Sequence, residues 1–391
     1  MDSETGGVMA VQGGRDYVRK GLNRVNVKRQ PASTFKPLAV FAPAMDQGVF
    51  QPYSLLPDKP YNYAGYIPRN SNGTYSGELT MFEAIMNSAN APAVWLLNEL
   101  GIDTSLYYLK QFGFNLVDQQ LSIALGGLTE GITPLELTKA YRAFGNGGKT
   151  VEPYFIENIY NKDGELIGSA DKNETQVISA QTAWNMTRML ELAVKEGTGR
   201  NGKTKAALAG KTGTASFEAV KSGARDAWFV GYTPSVVGAV WFGYDITSSE
   251  NYLKGGSAYP TAWFKELVSK LPTDERLLTF KKPHDVKELK PPVRLAKIND
   301  LEASLILGGK GLMSVKLEWT GIDDERVQYD IYEVDHDVKT HLATVTDGSG
   351  YLHPRLNPFS SKTYIVVPLD STTERHGEPS NSAEVNFGFG F

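Results

Sequence analysis

The pattern of hydrophobic positions divides the chain into two parts. Before residue 272 the chain combines helical patterns with a few continuous apolar runs, whereas after residue 293 apolar and polar positions alternate at a period of two. Residues 272–293 between them are charged and contain several prolines, which is typical of a linker. We therefore predict one domain over 1–271, a linker over 272–293 and a second domain over 294–391.

The first part predicts several helices and one buried hairpin. Thr133, Pro134 and Glu136 form a capping box with proline at the first helical position, so a helix should begin there. Two aromatic-rich apolar runs separated by Thr233-Pro234-Ser235 predict an antiparallel hairpin. The other predicted elements are a strand at 8–11, a helix beginning near 33, a surface excursion over 44–77, a helix over 79–100 broken at Pro92, a helix over 179–195, a strand leading into 211–214 and a helix over 258–271.

The second part predicts short strands about every ten residues, with turn signals between them. The alternation of apolar and polar residues is clearest at 315–319, 327–332, 363–367 and 383–387. Such a series indicates a small β-sandwich.

The charge and the content of cysteine and histidine limit which partners, cofactors and catalytic groups the chain can use. The chain carries 40 basic and 44 acidic residues, a net charge of −4, so we predict no nucleic-acid partner. It contains no cysteine, and its five histidines all lie after residue 283 without metal-site spacing, so we predict no metal and no other cofactor. A serine nucleophile before residue 284 would need a lysine, a carboxylate or another hydroxyl as its base. No apolar run reaches the roughly 20 residues of a membrane helix, and the first residues are too polar for a signal peptide.

Three short motifs in the first part could supply such chemistry: Ser33-Thr34-Phe35-Lys36, Ser88-Ala89-Asn90 and Lys211-Thr212-Gly213. If Ser33 begins a helix, Lys36 follows one turn later on the same face and could take the proton of the serine hydroxyl. A lysine acts as a base only when burial or a nearby cation lowers its pKa, and Lys211 is the candidate cation.

Each motif taken alone has a more ordinary structural explanation. Ser33 could be a helix cap, Ser88 and Asn90 could be polar positions on a helix, and the Lys-Thr-Gly run could be a strand end. Ser169-Ala170-Asp171-Lys172 and Ser249-Glu250-Asn251 also fit two of the patterns, but they lie in polar stretches that predict solvated loops. The functional interpretation depends on the three motifs occurring together and in this order.

The three motifs in this order resemble the signature of penicillin-binding proteins and serine β-lactamases. Flanking sequences narrow the resemblance to class A (bifunctional) penicillin-binding proteins over about residues 1–271. The flanks that carry it are Arg29-Gln30-Pro31-Ala32, Leu125-Gly126-Gly127, Gly131-Ile132-Thr133-Pro134-Leu135-Glu136, Glu196-Gly197-Thr198-Gly199 and Asp226-Ala227-Trp228-Phe229-Val230-Gly231-Tyr232-Thr233-Pro234.

This resemblance implies an α+β fold. The first part would be a penicillin-binding/β-lactamase-like transpeptidase domain, with an antiparallel sheet flanked by helices plus a helical lobe. The second part, with Trp319 as a core residue and Tyr364 as a corner tyrosine, resembles a fibronectin type III domain, which is an all-β sandwich.

The resemblance also implies catalytic roles. Ser33 would be the nucleophile and Lys36 its base, with Lys211 as the nearby cation. Ser88 would relay a proton between the lysine and the leaving group, and Asn90 would fix the lysine and the substrate amide.

The Lys-Thr-Gly strand is implied to bind substrate. Lys211, Thr212 and Thr214 would hold the substrate carboxylate, while Gly213 would let the substrate backbone lie against the strand. The backbone N–H groups of Ser33 and Thr214 would form the oxyanion hole.

The implied reaction is the cross-linking of peptidoglycan stem peptides through a Ser33 acyl-enzyme, with β-lactam antibiotics as acylating inhibitors, on the extracytoplasmic face of the bacterial plasma membrane. A D,D-carboxypeptidase or β-lactamase is the alternative enzyme, and a β-lactam sensor without catalysis is the alternative of another class. The sequence has no Glu-x-x-Leu-Asn segment of the kind with which class A β-lactamases activate water.

The sequence departs from class A proteins in one respect. Those proteins carry an N-terminal membrane helix and a glycosyltransferase domain, and neither is present here. We therefore expect a piece that begins inside or at the edge of the transpeptidase domain, with no glycosyltransferase activity and with membrane attachment only through an absent N-terminal anchor. A cell-wall or protein partner is expected for the C-terminal sandwich.

Overall fold

The described residues separate into two units, Met1–Pro291 and Pro292–Phe391. This computed structural model describes residues 1–16, 18–272, 278–307, 313–336, 338–346, 348–354 and 361–385. None of the helices in those ranges has the length and apolar content that crossing a bilayer requires.

The first unit contains both helices and strands, with more residues in helices than in strands. Its α-helices are α1 Ala42–Asp46, α2 Met81–Met86, α3 Ala91–Leu100, α4 Ile102–Gln111, α5 Pro134–Gly145, α6 Ala180–Lys195 and α7 Ala258–Ser269. Shorter helical segments are the 3-10 helices Arg24–Asn26, Ala32–Phe35 and Leu121–Leu125 and the π-helix Pro37–Phe41.

The strands of the first unit form one main sheet and three small ribbons. They are β1 Leu55–Asp58, β2 Gly77–Thr80, β3 Lys149–Thr150, β4 Asn158–Tyr160, β5 Leu166–Ser169, β6 Thr175–Gln176, β7 Ala209–Ser216, β8 Gly223–Tyr232, β9 Val237–Gly243 and β10 Leu253–Lys254. In the main sheet β8 is central, with β7 on one side and β9 and β10 on the other, all antiparallel. Helices α5 and α6 pack on this sheet, as does α7. The antiparallel sheet flanked by helices, and the buried hairpin of β8 and β9, are therefore as predicted.

The predicted helix starts agree with the structure at α5 and α6. Thr133 Oγ1 accepts the N–H of Glu136, and the Glu136 carboxylate accepts the N–H of Thr133, which completes the capping box. Ser179 caps α6 in the same position. Capping of this kind satisfies backbone N–H groups that have no partner inside the helix.

Two other local predictions were wrong. The helix expected over 79–100 is interrupted at residues 87–90, and Pro92 lies in the first turn of α3, where a proline has no intrahelical N–H partner to lose. The strand expected at 8–11 is absent. The N-terminal residues instead make isolated bridges, from Asp2 to Val236 and from Gly7 to Tyr154.

The segment predicted as a linker packs on the first unit over residues 278–291. Phe280, Val286 and Leu289 are buried in the main hydrophobic core, and the Phe280 ring meets the Tyr232 ring edge-on at 5.6 Å. The spaced apolar residues of this stretch, and not its charges and prolines, decide where it lies. The assignment of domains to 1–271 and 294–391 stays a prediction, with 278–291 attached to the first unit.

The described strands of the second unit form two antiparallel sheets around one core. They are β11 Glu302–Leu307, β12 Met313–Glu318, β13 Val327–Asp335, β14 Val338–Val345, β15 Gly350–His353, β16 Lys362–Asp370, β17 Arg375–His376 and β18 Ala383–Val385. Trp319 and Tyr364 are both buried in this core, together with Tyr329 and Ile331. The all-β prediction is confirmed, whereas the fibronectin type III assignment stays a prediction. The part of the last predicted strand after Val385 lies outside the described residues.

Candidate active site

Ser33 lies in the 3-10 helix Ala32–Phe35, which the π-helix and α1 extend into the core. The side chain of Ser33 is only partly buried, whereas Phe35 and the apolar residues after it are inaccessible to solvent. Because the Lys36 N–H donates to the Ser33 carbonyl, the lysine follows the serine by one tight turn, as the motif predicted.

The chain immediately before Ser33 is fixed by contacts from two other segments. The Gln30 carbonyl accepts a hydrogen bond of 2.8 Å from Trp228 Nε1, and Gln30 Oε1 accepts one of 3.0 Å from the Leu128 N–H. Gly126 has a positive φ of 71°, and a Cβ there would lie 2.3 Å from the Ala32 carbonyl oxygen. Only glycine allows this approach, which explains the Leu-Gly-Gly run of the sequence.

Lys36 is completely buried and its Nζ points into a cluster of oxygen atoms. Nζ lies within hydrogen-bonding distance of three oxygens, 2.7 Å from the Ser88 carbonyl, 3.0 Å from the Ala89 carbonyl and 2.6 Å from Asn90 Oδ1. The Ser88 Oγ lies 3.4 Å away. The second motif thus surrounds the lysine of the first.

Ser88 occupies the turn between α2 and α3 and connects the two lysines. Its φ of 55° is unusual for a residue with a side chain, and backbone strain of about 1–3 kcal/mol is common at functional sites. Lys211 Nζ donates a hydrogen bond of 2.7 Å to the Ser88 Oγ and one of 3.1 Å to the Thr212 carbonyl. The Ser88 hydroxyl is therefore within reach of both amines.

Burial lowers the pKa of both lysines. Desolvation brings the pKa of Lys36 well below its ordinary value of 10.5, and the positive charge of Lys211 lowers it further. Burial lowers the pKa of Lys211 to about 7. A neutral Lys36 amine beside a cationic Lys211 is the charge distribution that a lysine base requires.

Asn90 joins the lysine to a neighbouring loop. Its Oδ1 accepts from Lys36, while its Nδ2 donates a hydrogen bond of 2.6 Å to the Arg69 carbonyl. The expected contact of Asn90 with the lysine is thus present in the structure, and one amide hydrogen is already engaged by protein.

The Lys-Thr-Gly run lies on β7, next to the serine helix. A Cβ at Gly213 would stand 2.7 Å from the Pro31 carbonyl oxygen and 3.2 Å from the Thr34 nitrogen. Glycine at this position allows the strand to pack against the helix of Ser33, a reason that differs from the substrate contact we expected. Within the described part of the chain, β7 pairs only with β8, so its other edge is not hydrogen-bonded to a strand.

The two threonines of β7 do not share the face of Lys211. Thr212 Oγ1 lies 2.7 Å from Thr198 Oγ1, and the exposed Thr214 accepts an N–H from Ser257 at 3.2 Å. Since successive residues of a strand point to opposite faces, Lys211 and Gly213 face the serine helix while the threonines face away from it.

The Ser33 Oγ makes no hydrogen bond to any of the residues that the structure describes, so it is not bonded to Lys36 here. Catalytic hydrogen bonds are often formed only when substrate is bound. The two rejected motifs lie elsewhere: Ser169 ends the exposed strand β5, and Asn251 closes an exposed turn with Ser248.

The sequence reasoning missed several residues that position this site. Asn70 is buried and accepts the N–H groups of Asn90 and Ala91, and Asp58 is buried beside it. Both belong to the excursion over 44–77, whose many Pro, Tyr, Asn and Gly residues indicated only surface structure. Thr198, in the run after α6, contributes only to the family resemblance in the sequence, whereas in the structure its hydroxyl contacts Thr212.

The protein-family model described as the penicillin binding protein transpeptidase domain matches residues 1–269 of this sequence. Penicillin-binding protein 1F of Bacillus subtilis is 46% identical over 378 residues, which are 97% of this chain and 53% of that protein. The chain therefore spans about half the length of this relative.

Solved structures agree with the sequence comparisons. The penicillin-binding protein PonA1 from Mycobacterium tuberculosis has a TM-score of 0.64 at 24% identity, covering 76% of this chain and 83% of that one, which shows the fold. PonA1 in complex with penicillin V has a TM-score of 0.60 at 25% identity, covering 70% of this chain and 78% of that one. The fold and the family match establish that this chain belongs to the penicillin-binding protein transpeptidase family.

Proposed function

We propose that the chain is a peptidoglycan D,D-transpeptidase that acts through a Ser33 acyl-enzyme. The observation that carries the proposal is the pair of buried lysines on either side of Ser88. Lys36 follows Ser33 by one turn, and Lys211 lies on β7, whose second edge is not paired with a described strand. A hydroxyl, an amine of lowered pKa and a strand edge are the parts that acyl transfer to and from a peptide requires.

In the first step the Ser33 Oγ attacks the carbonyl carbon of the penultimate D-Ala of a stem peptide, and the neutral Lys36 amine takes the hydroxyl proton. The C–N bond to the terminal D-Ala then breaks. The nitrogen of the leaving D-Ala receives a proton through the Ser88 hydroxyl. The Oγ of Ser88 lies 3.4 Å from Lys36 Nζ and 2.7 Å from Lys211 Nζ. General-base assistance of this kind contributes about 10²–10⁴ in rate.

In the second step an amine of a neighbouring stem peptide attacks the ester, and the Ser33 oxygen regains its proton. The new amide bond is the cross-link. The backbone N–H groups of Ser33 and Thr214 would stabilise the oxyanion in both steps. The hydroxyls of Thr212 and Thr214, on one face of β7, would hold the substrate carboxylate, while Lys211 on the opposite face would attract it by its positive charge.

β-Lactam antibiotics would acylate the same serine. The solved complex of PonA1 with penicillin V supports this extension, since that protein shares the fold. We assign the reaction to the extracytoplasmic face of the plasma membrane, where peptidoglycan is assembled. Glycan polymerisation is not part of the function proposed for these residues, and a cell-wall or protein partner remains our proposal for the second unit.

The test is covalent labelling by a fluorescent penicillin, followed by mass spectrometry of the modified peptide. Label on the peptide that contains Ser33 and loss of label in Ser33→Ala are the expected results. Ser169→Ala is the matched control, because this exposed serine fits the same Ser-x-x-Lys pattern. Label retained in Ser33→Ala would overturn the proposal.

The lifetime of the acyl-enzyme separates the alternatives. Rapid release to water would indicate a β-lactamase. A stable acyl-enzyme that forms no cross-linked product from a stem peptide and an acceptor amine would indicate a sensor. Release of D-Ala without cross-linking would indicate a carboxypeptidase.

A further inference from the structure

The first turn of α3 is capped by a residue from a distant loop. Asn90 is the N-cap, and asparagine there normally accepts an N–H of the second or third helical residue with its own side chain. It makes no such bond, and the second position is Pro92, which has no N–H to offer.

Asn70 instead binds the two backbone N–H groups at the very start of α3. Its Oδ1 accepts the Asn90 N–H at 2.8 Å and the Ala91 N–H at 3.1 Å. The Asn90 side chain itself makes no capping bond to α3, and its Oδ1 accepts from Lys36 at 2.6 Å.

The orientation of the Asn70 amide is fixed by its partners. Its Nδ2 donates to Asp58 Oδ1 at 2.6 Å and to the Thr74 carbonyl at 2.9 Å. Two donors and two acceptors are all that an asparagine amide has, so every position is used and a flipped amide would face four mismatched partners. Asp58 is 1% exposed, and its other oxygen accepts the Ser76 N–H at 2.7 Å.

The same loop also fixes the Asn90 side chain. The Arg69 carbonyl accepts from Asn90 Nδ2 at 2.6 Å, so adjacent residues hold both the backbone and the amide of Asn90. Asp58, Asn70, Asn90 and Lys36 form one continuous series of hydrogen bonds that ends on the amine of the candidate base.

We propose that Asn70, oriented by the buried Asp58, is a positioning residue that sets the placement of Asn90 and thereby of the Lys36 amine for acylation of Ser33. The inference rests on the proposed acyl-enzyme. It concerns the acylation step and not the binding of substrate, because Asn70 is buried and directs all four of its hydrogen bonds to protein.

The experiment measures acylation of the full chain by a fluorescent penicillin, separating the rate constant k2 from the binding constant Ks. Because displacement of a catalytic group by about 1 Å can cost 10²-fold, we expect Asn70→Ala to lower k2 by about that factor with Ks nearly unchanged. Asn72→Ala is the matched control, since this exposed asparagine of the same loop accepts the Thr74 N–H and contacts none of the site residues that the structure describes.

A double-variant cycle tests whether Asn70 acts through Asn90. The variant with both Asn70→Ala and Asn90→Ala should acylate no more slowly than Asn90→Ala alone, since coupled residues give non-additive effects. Additive losses, or Asn70→Ala with an unchanged k2, would overturn the inference. A wild-type chain that takes up no label would instead refute the proposed function.

Asn70→Asp tests whether Asn70 positions Asn90 and Lys36 even if Asn70→Ala does not fold. It places a second carboxylate against Asp58, and like charges at this distance favour sharing one proton. Acylation by this variant, relative to the wild type at the same pH, should rise as the pH is lowered. A ratio that does not change with pH would contradict the role of Asn70.

Discussion

Gly213 packs against Thr34 so closely that the strand of the Lys-Thr-Gly motif and the helix of the nucleophile are in direct backbone contact. A Cβ at position 213 would stand 3.2 Å from the Thr34 nitrogen, 2.9 Å from its Cγ2 and 2.7 Å from the Pro31 carbonyl oxygen. This contact fixes the distance between the helix that carries Ser33 and the strand that carries Lys211.

Gly213→Ala should therefore separate strand and helix. Overpacking of this kind costs about 1–3 kcal/mol, and we expect a loss of stability in that range together with slower acylation. Gly168→Ala is the control, because a Cβ at Gly168 would meet Ile159 at an ordinary 3.6 Å. Thermal unfolding and penicillin acylation measured on both variants check the prediction. Full activity in Gly213→Ala would show that the close contact does not constrain the site.

Lys36→Ala should slow acylation by about 10²–10⁴, because it removes the base that accepts the serine proton. Stopped-flow labelling measures the rate, and circular dichroism shows whether the fold is retained. Lys172→Ala provides the comparison, since Lys172 belongs to the second Ser-x-x-Lys match and pairs on the surface with Glu157. Normal acylation by a folded Lys36→Ala protein would remove the lysine from this role.

The acylation efficiency k2/Ks should fall as the pH rises through about 7. The pKa of Lys211 is lowered to about 7 by burial, so this lysine is protonated below that pH and neutral above it. Deprotonation removes both the cation near the substrate carboxylate and the charge that helps to keep Lys36 neutral. The pH dependence of k2/Ks reports pKa values of the free enzyme.

Lys211→Arg tests this assignment, because a guanidinium keeps its proton throughout the range. The variant should acylate more slowly, since Lys211 is 1% exposed and arginine is larger, but the decline near neutral pH should disappear. A decline that persists in Lys211→Arg must come from another group.

Asp330→Asn should destabilise the second unit by about 1 kcal/mol, because it replaces one oxygen of a buried carboxylate, which accepts hydrogen bonds, with an amide nitrogen that cannot accept them. Asp330 on β13 accepts from Thr344 Oγ1 and lies 2.7 Å from His376 Nε2 and 3.2 Å from His341 Nε2. Hydrogen exchange of β13 and β16 measures the change. Asp335→Asn is the control, since that side chain is largely exposed.

The effect of Asp330→Asn should depend on pH with a definite sign. Burial raises the pKa of Asp330, but hydrogen bonds from Thr344 and His376 outweigh it and hold the pKa below its ordinary value. The carboxylate therefore stabilises the fold above its unfolded pKa, and this stability is lost as the pH falls through the folded one. Equal differences between variant and wild type at acidic and neutral pH would contradict this account.

The sequence alone determined what could be read from local spacing and from short motifs. The turn between Ser33 and Lys36, the capping box at Thr133 and Glu136, and the change of period after the first unit are local features, and each matches the structure. Residue types also limited the chemistry, because neither histidine nor cysteine occurs before residue 284.

Tertiary structure decided how those pieces meet. The contact of Lys36 with Asn90, the capping of α3 by Asn70, and the packing of Gly213 on Thr34 join residues 20 or more positions apart. Nothing in the local pattern around Asn70 distinguishes it from Asn72, yet one is buried in the network and the other is exposed. The lowered pKa of Lys36 has the same origin, since burial and the charge of Lys211 exist only in the folded chain.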